Sequence, residues 1–136
     1  MIVPNLMVSD MRAAIAFYRD LLGMTVTMML MPDRSMQTDG DGQDAYFATL
    51  EWQGSQLMLQ TRQSLAEELP GFDTPPSPAG TVYFRGFAPD AIADRVSAGQ
   101  VVKGPVLQWY GMKELYLRDP DGHIICLGAP EGAPPG

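Results

Sequence analysis

Gly111–Leu127 reads GMKELYLRDPDGHIICL, two alternating runs on either side of a turn. In Asp119-Pro120-Asp121-Gly122, Pro120 presets φ, Asp121 is placed to hydrogen-bond its own backbone, and Gly122 accepts positive φ. Before the turn, Leu115 and Leu117 alternate with Glu114, Tyr116 and Arg118; after it, Ile125 and Leu127 alternate with Ile124 and Cys126. A period of two marks strands with two unlike faces. The leucine and isoleucine face must lie on something apolar. The other face looks into surroundings that accept Glu114 and Tyr116.

The rest of the chain extends this pattern. Met1–Val8 reads as a strand with Pro4 at an edge or bulge. Ser9-Asp10 caps a helix whose apolar residues Met11, Ala14, Ile15, Tyr18, Leu21 and Leu22 recur at helical spacing, and Gly23 ends it. Met24–Met31 is a strand. Asp33–Asp44 is polar and glycine-bearing and reads as a mobile loop. Ala45–Glu51 and Gln56–Thr61 are strands joined at Gln53-Gly54-Ser55, and Ser64–Leu69 makes one or two helical turns. Pro75, Pro76 and Pro78 stiffen a connector. The order then repeats: a strand over Thr81–Phe87, a helix over Asp90–Ala98 opened by Pro89, a strand over Val101–Leu107, and the final hairpin. The expected organisation is a first βαβββ module over 1–62, a Pro-rich connector over 63–79, a second module over 80–128 and a flexible tail over 129–136.

Composition limits what such a chain does. Its 136 residues make one domain or two small modules sharing a core. A net charge of −7 disfavours nucleic acid, which needs a basic footprint. No apolar run approaches the roughly 18 residues of a membrane span, and no secretory signal opens the chain. The single cysteine, Cys126, rules out an internal disulfide and fits a cytoplasmic protein.

Alternation sorts the strands into faces. Leu6, Val8, Leu57, Leu59, Val82, Phe84, Leu115, Leu117, Ile125 and Leu127 form the apolar face. Val3, Asn5, Met7, Gln56, Met58, Gln60, Thr81, Tyr83, Arg85, Glu114, Tyr116 and Cys126 form the other. That second set is too polar for a core and too apolar to be left wet, which a ligand-binding surface explains.

These segments resemble the vicinal oxygen chelate superfamily, which holds glyoxalase I, extradiol dioxygenases and the fosfomycin- and bleomycin-resistance proteins. The matching motifs are Leu6-Met7-Val8-Ser9-Asp10, Phe17-Tyr18-Arg19-Asp20-Leu21-Leu22-Gly23-Met24 and Leu117-Arg118-Asp119-Pro120-Asp121-Gly122. The resemblance implies an α+β fold in which paired βαβββ modules form a cupped mixed sheet with helices on the outer face, in a homodimer. In metal-dependent members the ligand positions carry over to Val3, Met58, Thr81 and Cys126. Val3 cannot ligate, Met58 and Thr81 are poor partners for hard or borderline divalent ions, and Cys126 alone builds no site. The lone His123 sits beside the turn and reads as an exposed turn residue. No metal or other cofactor is therefore expected.

Glu114 and Tyr116 are the candidates for acid–base chemistry, with the competing reading that Glu114 and Arg85 form an ion pair or bind polar groups of a ligand. For ligand binding the candidates are Asn5, Met7, Met58, Gln60, Tyr83, Arg85, Trp109, Tyr110, Glu114 and Tyr116, the pair Trp109-Tyr110 being suited to stack on a planar or cationic molecule. The expected function is metal-free binding of a small molecule, of the bleomycin-resistance type that sequesters a toxic or antibiotic compound. The alternative is a lyase, isomerase or dioxygenase-like enzyme using Glu114 and Tyr116 or an unrecognised metal site.

Overall fold

The computed structural model describes residues 1–131. The chain divides into two compact units, Met1–Pro76 and a second beginning at Ser77. Each is α+β with one mixed sheet.

The first unit runs β1 (Asn5–Val8), helix α1 (Met11–Ile15, continued by Ala16–Leu21), β2 (Thr25–Leu30), β3 (Met36–Gln37), β4 (Phe47–Trp52), β5 (Ser55–Thr61) and α2 (Arg62–Glu68). Its sheet order is β1-β5-β4-β2-β3, with β1 parallel to β5 and the remaining pairs antiparallel. Asp10 starts α1 by accepting from the backbone N–H groups of Arg12 and Ala13, as an N-cap should. The helix is regular over Met11–Ile15 and widens to π-type bonding over Ala16–Leu21, where the Leu22 N–H donates to the Phe17 carbonyl at 3.0 Å. It closes when Met24 donates to Tyr18, the wide bond of a glycine-ended helix. Met11, Ala14, Ile15, Phe17 and Tyr18 are buried on it, and so are Val8, Ala48, Leu50, Leu57 and Leu59 on one sheet face.

The second unit runs β6 (Thr81–Arg85), β7 (Val101–Leu107), β8 (Met112–Arg118) and β9 (Ile124–Pro130). The order β6-β9-β8-β7 repeats that of the first unit: the opening strand lies parallel to the last, and the others follow antiparallel. Leu115, Leu117, Ile125 and Leu127 are wholly buried on one face. Each contributes roughly 1.5–3 kcal/mol, and a one-residue slip would expose them all.

The structure corrects four expectations and adds detail to two others. The predicted helix over Asp90–Ala98 is two single 3₁₀ turns, Pro89–Ala91 and Ala98–Gln100. Only Ile92 is fully buried between them, and nine residues bearing Asp, Ser and no second core anchor are too few to hold a helix. The loop over 33–44 contains β3, which pairs with Met29 and Leu30. The helical turns expected over Ser64–Leu69 form α2, which starts at Arg62 and is capped by the Thr61 hydroxyl. In the DPDG turn the Asp119 carboxylate serves the backbone: its Oδ1 accepts from the N–H groups of Asp121 and His123 at 2.9 and 2.8 Å. Gly122 follows at φ +85°. His123 is half-buried rather than exposed. Finally, β9 extends to Pro130, so Ala129 and Pro130 are strand; residues 132–136 of the predicted tail lie outside the described residues.

Candidate functional site

The ten ligand-binding candidates fall into one group in each unit. On β8, Glu114 shares its side-chain direction with Met112 and Tyr116. Register places Gly128 of β9 opposite it, and Arg85 of β6 beyond that. The next row along the same face is Tyr83, Cys126 and Tyr116. Glu114 is only 1% exposed. Burying a carboxylate this far is costly unless donors replace its water, and three phenols do so. Tyr110 and Tyr116 donate to Oε1 at 2.6 and 3.0 Å, and Tyr83 donates to Oε2 at 2.7 Å.

Each donor arrives by its own route. Tyr116 is two residues along the same strand. Tyr110 belongs to the turn between β7 and β8, where Gly111 donates to the Gln108 carbonyl at 3.0 Å. Tyr83 comes from β6, two strand spacings away, a gap of roughly 10 Å. It spans that gap by leaning over β9 at Gly128. A Cβ added to Gly128 would overlap the Tyr83 hydroxyl, so only glycine leaves the path open.

The electrostatics follow from this packing. Burial alone would raise the Glu114 carboxyl, but hydrogen bonds from Tyr110, Tyr83, Tyr116 and Gln108 outweigh it and hold the group below its ordinary 4.5. The Tyr83 and Tyr116 phenols are pushed up, first by burial and then by their bonds to the carboxylate. Tyr110 is raised chiefly by its bond to Glu114. The Cys126 thiol is pushed up to about 11 by burial, with Glu114 adding to the rise. At neutral pH the cluster therefore holds one carboxylate, three phenols and one thiol.

Arg85 does not pair with Glu114, contrary to one expectation. Its guanidinium lies over the Tyr83 ring, 5.4 Å from the centroid. Trp109 is 81% exposed and meets Tyr110 edge to face, with centroids 5.4 Å apart and planes at 84°.

In the first unit, Asn5, Met7, Met58 and Gln60 share a face: Asn5 pairs with Met58, and Met7 with Gln60. Gln60 is the hub and is 6% exposed. Its Oε1 accepts from Asn5 at 2.9 Å, and its Nε2 donates to Ser64 Oγ at 2.9 Å and Glu68 Oε2 at 3.0 Å. The amide is thus occupied by its own unit. Ser64 and Glu68 belong to α2, so this helix lies on the Gln60 face and not on the apolar one, a departure from the expected layering. An open cleft of about 1050 Å³ lies elsewhere in the unit, lined by Ser9, Arg12, Pro32, Gln37, Tyr46 and Thr61 among others; none of the four candidates lines it.

The family model described as Glyoxalase/Bleomycin resistance protein/Dioxygenase superfamily matches residues 2–127. The chain belongs to this superfamily. Among solved structures, a glyoxalase-related enzyme from Fulvimarina pelagi is 21% identical with a TM-score of 0.71, covering 100% of this chain and 94% of its own. A glyoxalase/bleomycin resistance protein/dioxygenase from Nocardioides is 23% identical with a TM-score of 0.66, covering 98% and 85%. A family enzyme from Burkholderia phytofirmans PsJN is 16% identical with a TM-score of 0.69, covering 95% and 97%. At these identities the likeness is one of fold. No curated protein matches the chain.

Many relatives work through a metal, so the donor set matters. The four positions carried over from metal-dependent members hold Val3, Met58, Thr81 and Cys126. Val3 has no donor atom, Met58 and Thr81 offer only weak donors, and Cys126 by itself supplies one ligand where a site needs three or four. The Glu114 oxygens are already engaged by phenols. No cluster of three or more His, Cys, Asp or Glu suited to a metal occurs among the described residues. These residues do not fit the family's ion.

No helix of the described residues is long and apolar enough to cross a membrane.

Proposed function

We propose that the chain is a metal-free small-molecule binding protein of the glyoxalase/bleomycin-resistance type, working by sequestration. The observation that carries this reading is the carboxylate cage of the second unit. A buried, ionised Glu114 is held by three phenols, two of which, Tyr83 and Tyr110, remain about a third exposed, and Tyr110 meets the open Trp109. Such a surface joins aromatic area to a few placed polar atoms, the composition of a small-molecule site.

Catalysis by Glu114 and Tyr116 is less well supported. A general base needs an accessible lone pair and a pKa near the working pH. Glu114 is shielded and its pKa is lowered, whereas Tyr116 is held protonated. Neither is poised to move a proton at neutral pH.

The test follows Trp109 fluorescence while planar and cationic compounds are titrated into the protein. Saturable quenching at micromolar concentrations is expected; no ligand tighter than about millimolar across the panel would remove the sequestration reading. A parallel assay adds Zn²⁺, Mn²⁺, Fe²⁺ or Ni²⁺. Glyoxalase or dioxygenase turnover restored at full metal occupancy would refute the metal-free part.

A further inference from the structure

We propose that the tyrosine cage recognises an organic cation bearing N–H donors, an amine, amidine or guanidine attached to an apolar or aromatic body, and that Arg85 occupies the aromatic face such a ligand would take. This rests on the binding reading above and names its ligand class.

The argument starts from counting hydrogens. A phenol has one O–H hydrogen and two acceptor lone pairs. The hydrogens of Tyr83, Tyr110 and Tyr116 are all directed at Glu114. What their oxygens offer to an incoming molecule is therefore acceptor capacity alone. A ligand that must accept hydrogen bonds finds no phenol donor in the cage, and one that donates finds phenol oxygens, those of Tyr83 and Tyr110 belonging to the more exposed side chains. Behind them lies a full negative charge with little water around it, so its field reaches outward poorly screened.

The flanks of the cage agree. Trp109 and Tyr110 present exposed aromatic surface, and ring faces attract ammonium and guanidinium groups. The molecule already contains one such contact, Arg85 over Tyr83. The two cations of β8 are tied to other groups. Lys113 is engaged with Asp90 at 3.0 Å and Glu131 at 3.5 Å, and Arg118 donates to the Gly99 carbonyl at 3.0 Å.

Arg85 then makes the inference sharp. If its guanidinium stands where a ligand cation belongs, removing it opens the ring and deletes a repelling charge. If instead it is an anion receptor, removing it abolishes binding. The two readings predict opposite signs for one exposed substitution.

The experiment uses the full chain and three flat probes of nearly equal shape: benzamidine (cationic), benzamide (neutral) and benzoate (anionic), read by calorimetry and Trp fluorescence. Benzamidine is expected to bind at least about tenfold tighter than benzamide, with benzoate weakest. Arg85→Gln should tighten benzamidine several-fold, and Tyr110→Phe and Glu114→Gln should each weaken it, with circular dichroism reporting the fold. Should Glu114→Gln fail to fold, the two exposed positions still decide the outcome. Benzamide or benzoate binding as well as benzamidine, or weaker benzamidine binding to Arg85→Gln, would overturn the ligand class and leave small-molecule binding standing. No binding by these probes or by the wider panel would overturn both.

Discussion

The two units repeat one strand order, yet their polar faces are organised around different chemistry. In the first, the last strand carries a neutral hub: the Gln60 amide, tied to Asn5, Ser64 and Glu68 and lying under α2. In the second, the last strand gives way at Gly128, and the hub is an anion one strand over, reached by tyrosines from a strand two places away, a turn and its own strand. A neutral amide in a closed network is a packing device, since its donors and acceptors are used up internally. A buried carboxylate ringed by part-exposed phenols keeps a charge near the surface. On the function proposed above, the same topology supplies one structural face and one recognition face.

The sharpest way to break this contrast is Glu114→Gln. The amide keeps the shape but loses the charge and sets an NH₂ group against phenol donors, a loss of about 3 kcal/mol at neutral pH. The pH dependence has a fixed sign. The folded-state pKa of Glu114 is lowered, so its contribution is fully present above the ordinary 4.5 and is lost as pH falls through the depressed value. Urea denaturation at pH 7 and at successively lower pH should show the gap between wild type and variant closing in acid. A gap that stays constant from neutral to acid would mean the hub is not ionised.

Gly128→Ala comes next. The added methyl lies in the path of Tyr83, which must swing away from Glu114, at a cost of about 2 kcal/mol. Tyr83→Phe removes the same hydrogen bond by another route. The two substitutions should therefore be strongly non-additive in a double-mutant cycle, and additive losses would show that Gly128 does not serve Tyr83.

Much of this was legible along the chain, and the reasons differ from place to place. Pleating alternates side chains, so Leu115, Leu117, Ile125 and Leu127 declared their face, and with it the face of Glu114 and Tyr116. The partners of Glu114 were harder to see. Tyr83 lies 31 positions earlier, and no local rule links it to Glu114. Arg85 was the natural expectation because opposite charges attract, but three phenols satisfy a buried carboxylate at no cost of a second buried charge. Gly128 was the overlooked signal, for a glycine inside a strand often marks a close approach. The failed helix over 90–98 shows the reverse: helical punctuation by Pro89 and Gly99 without enough buried surface between them. α2 was misplaced because Ser64 and Glu68 were not read as partners of Gln60.

The smallest effect expected belongs to the first unit. Gln60→Leu removes three hydrogen bonds, which by simple counting would rival the loss of Glu114. The partners differ, however. Asn5 and Glu68 are exposed and Ser64 is half-exposed, so water replaces what the amide provided. No charge is left stranded, and a buried leucine recovers part of the loss through apolar burial. The net cost should be about 1 kcal/mol, with probe binding in the second unit unchanged. Denaturation measured beside Glu114→Gln decides the matter. Equal costs would make the two hubs energetic equivalents, and the division into a structural face and a recognition face would then have to rest on ligand binding alone.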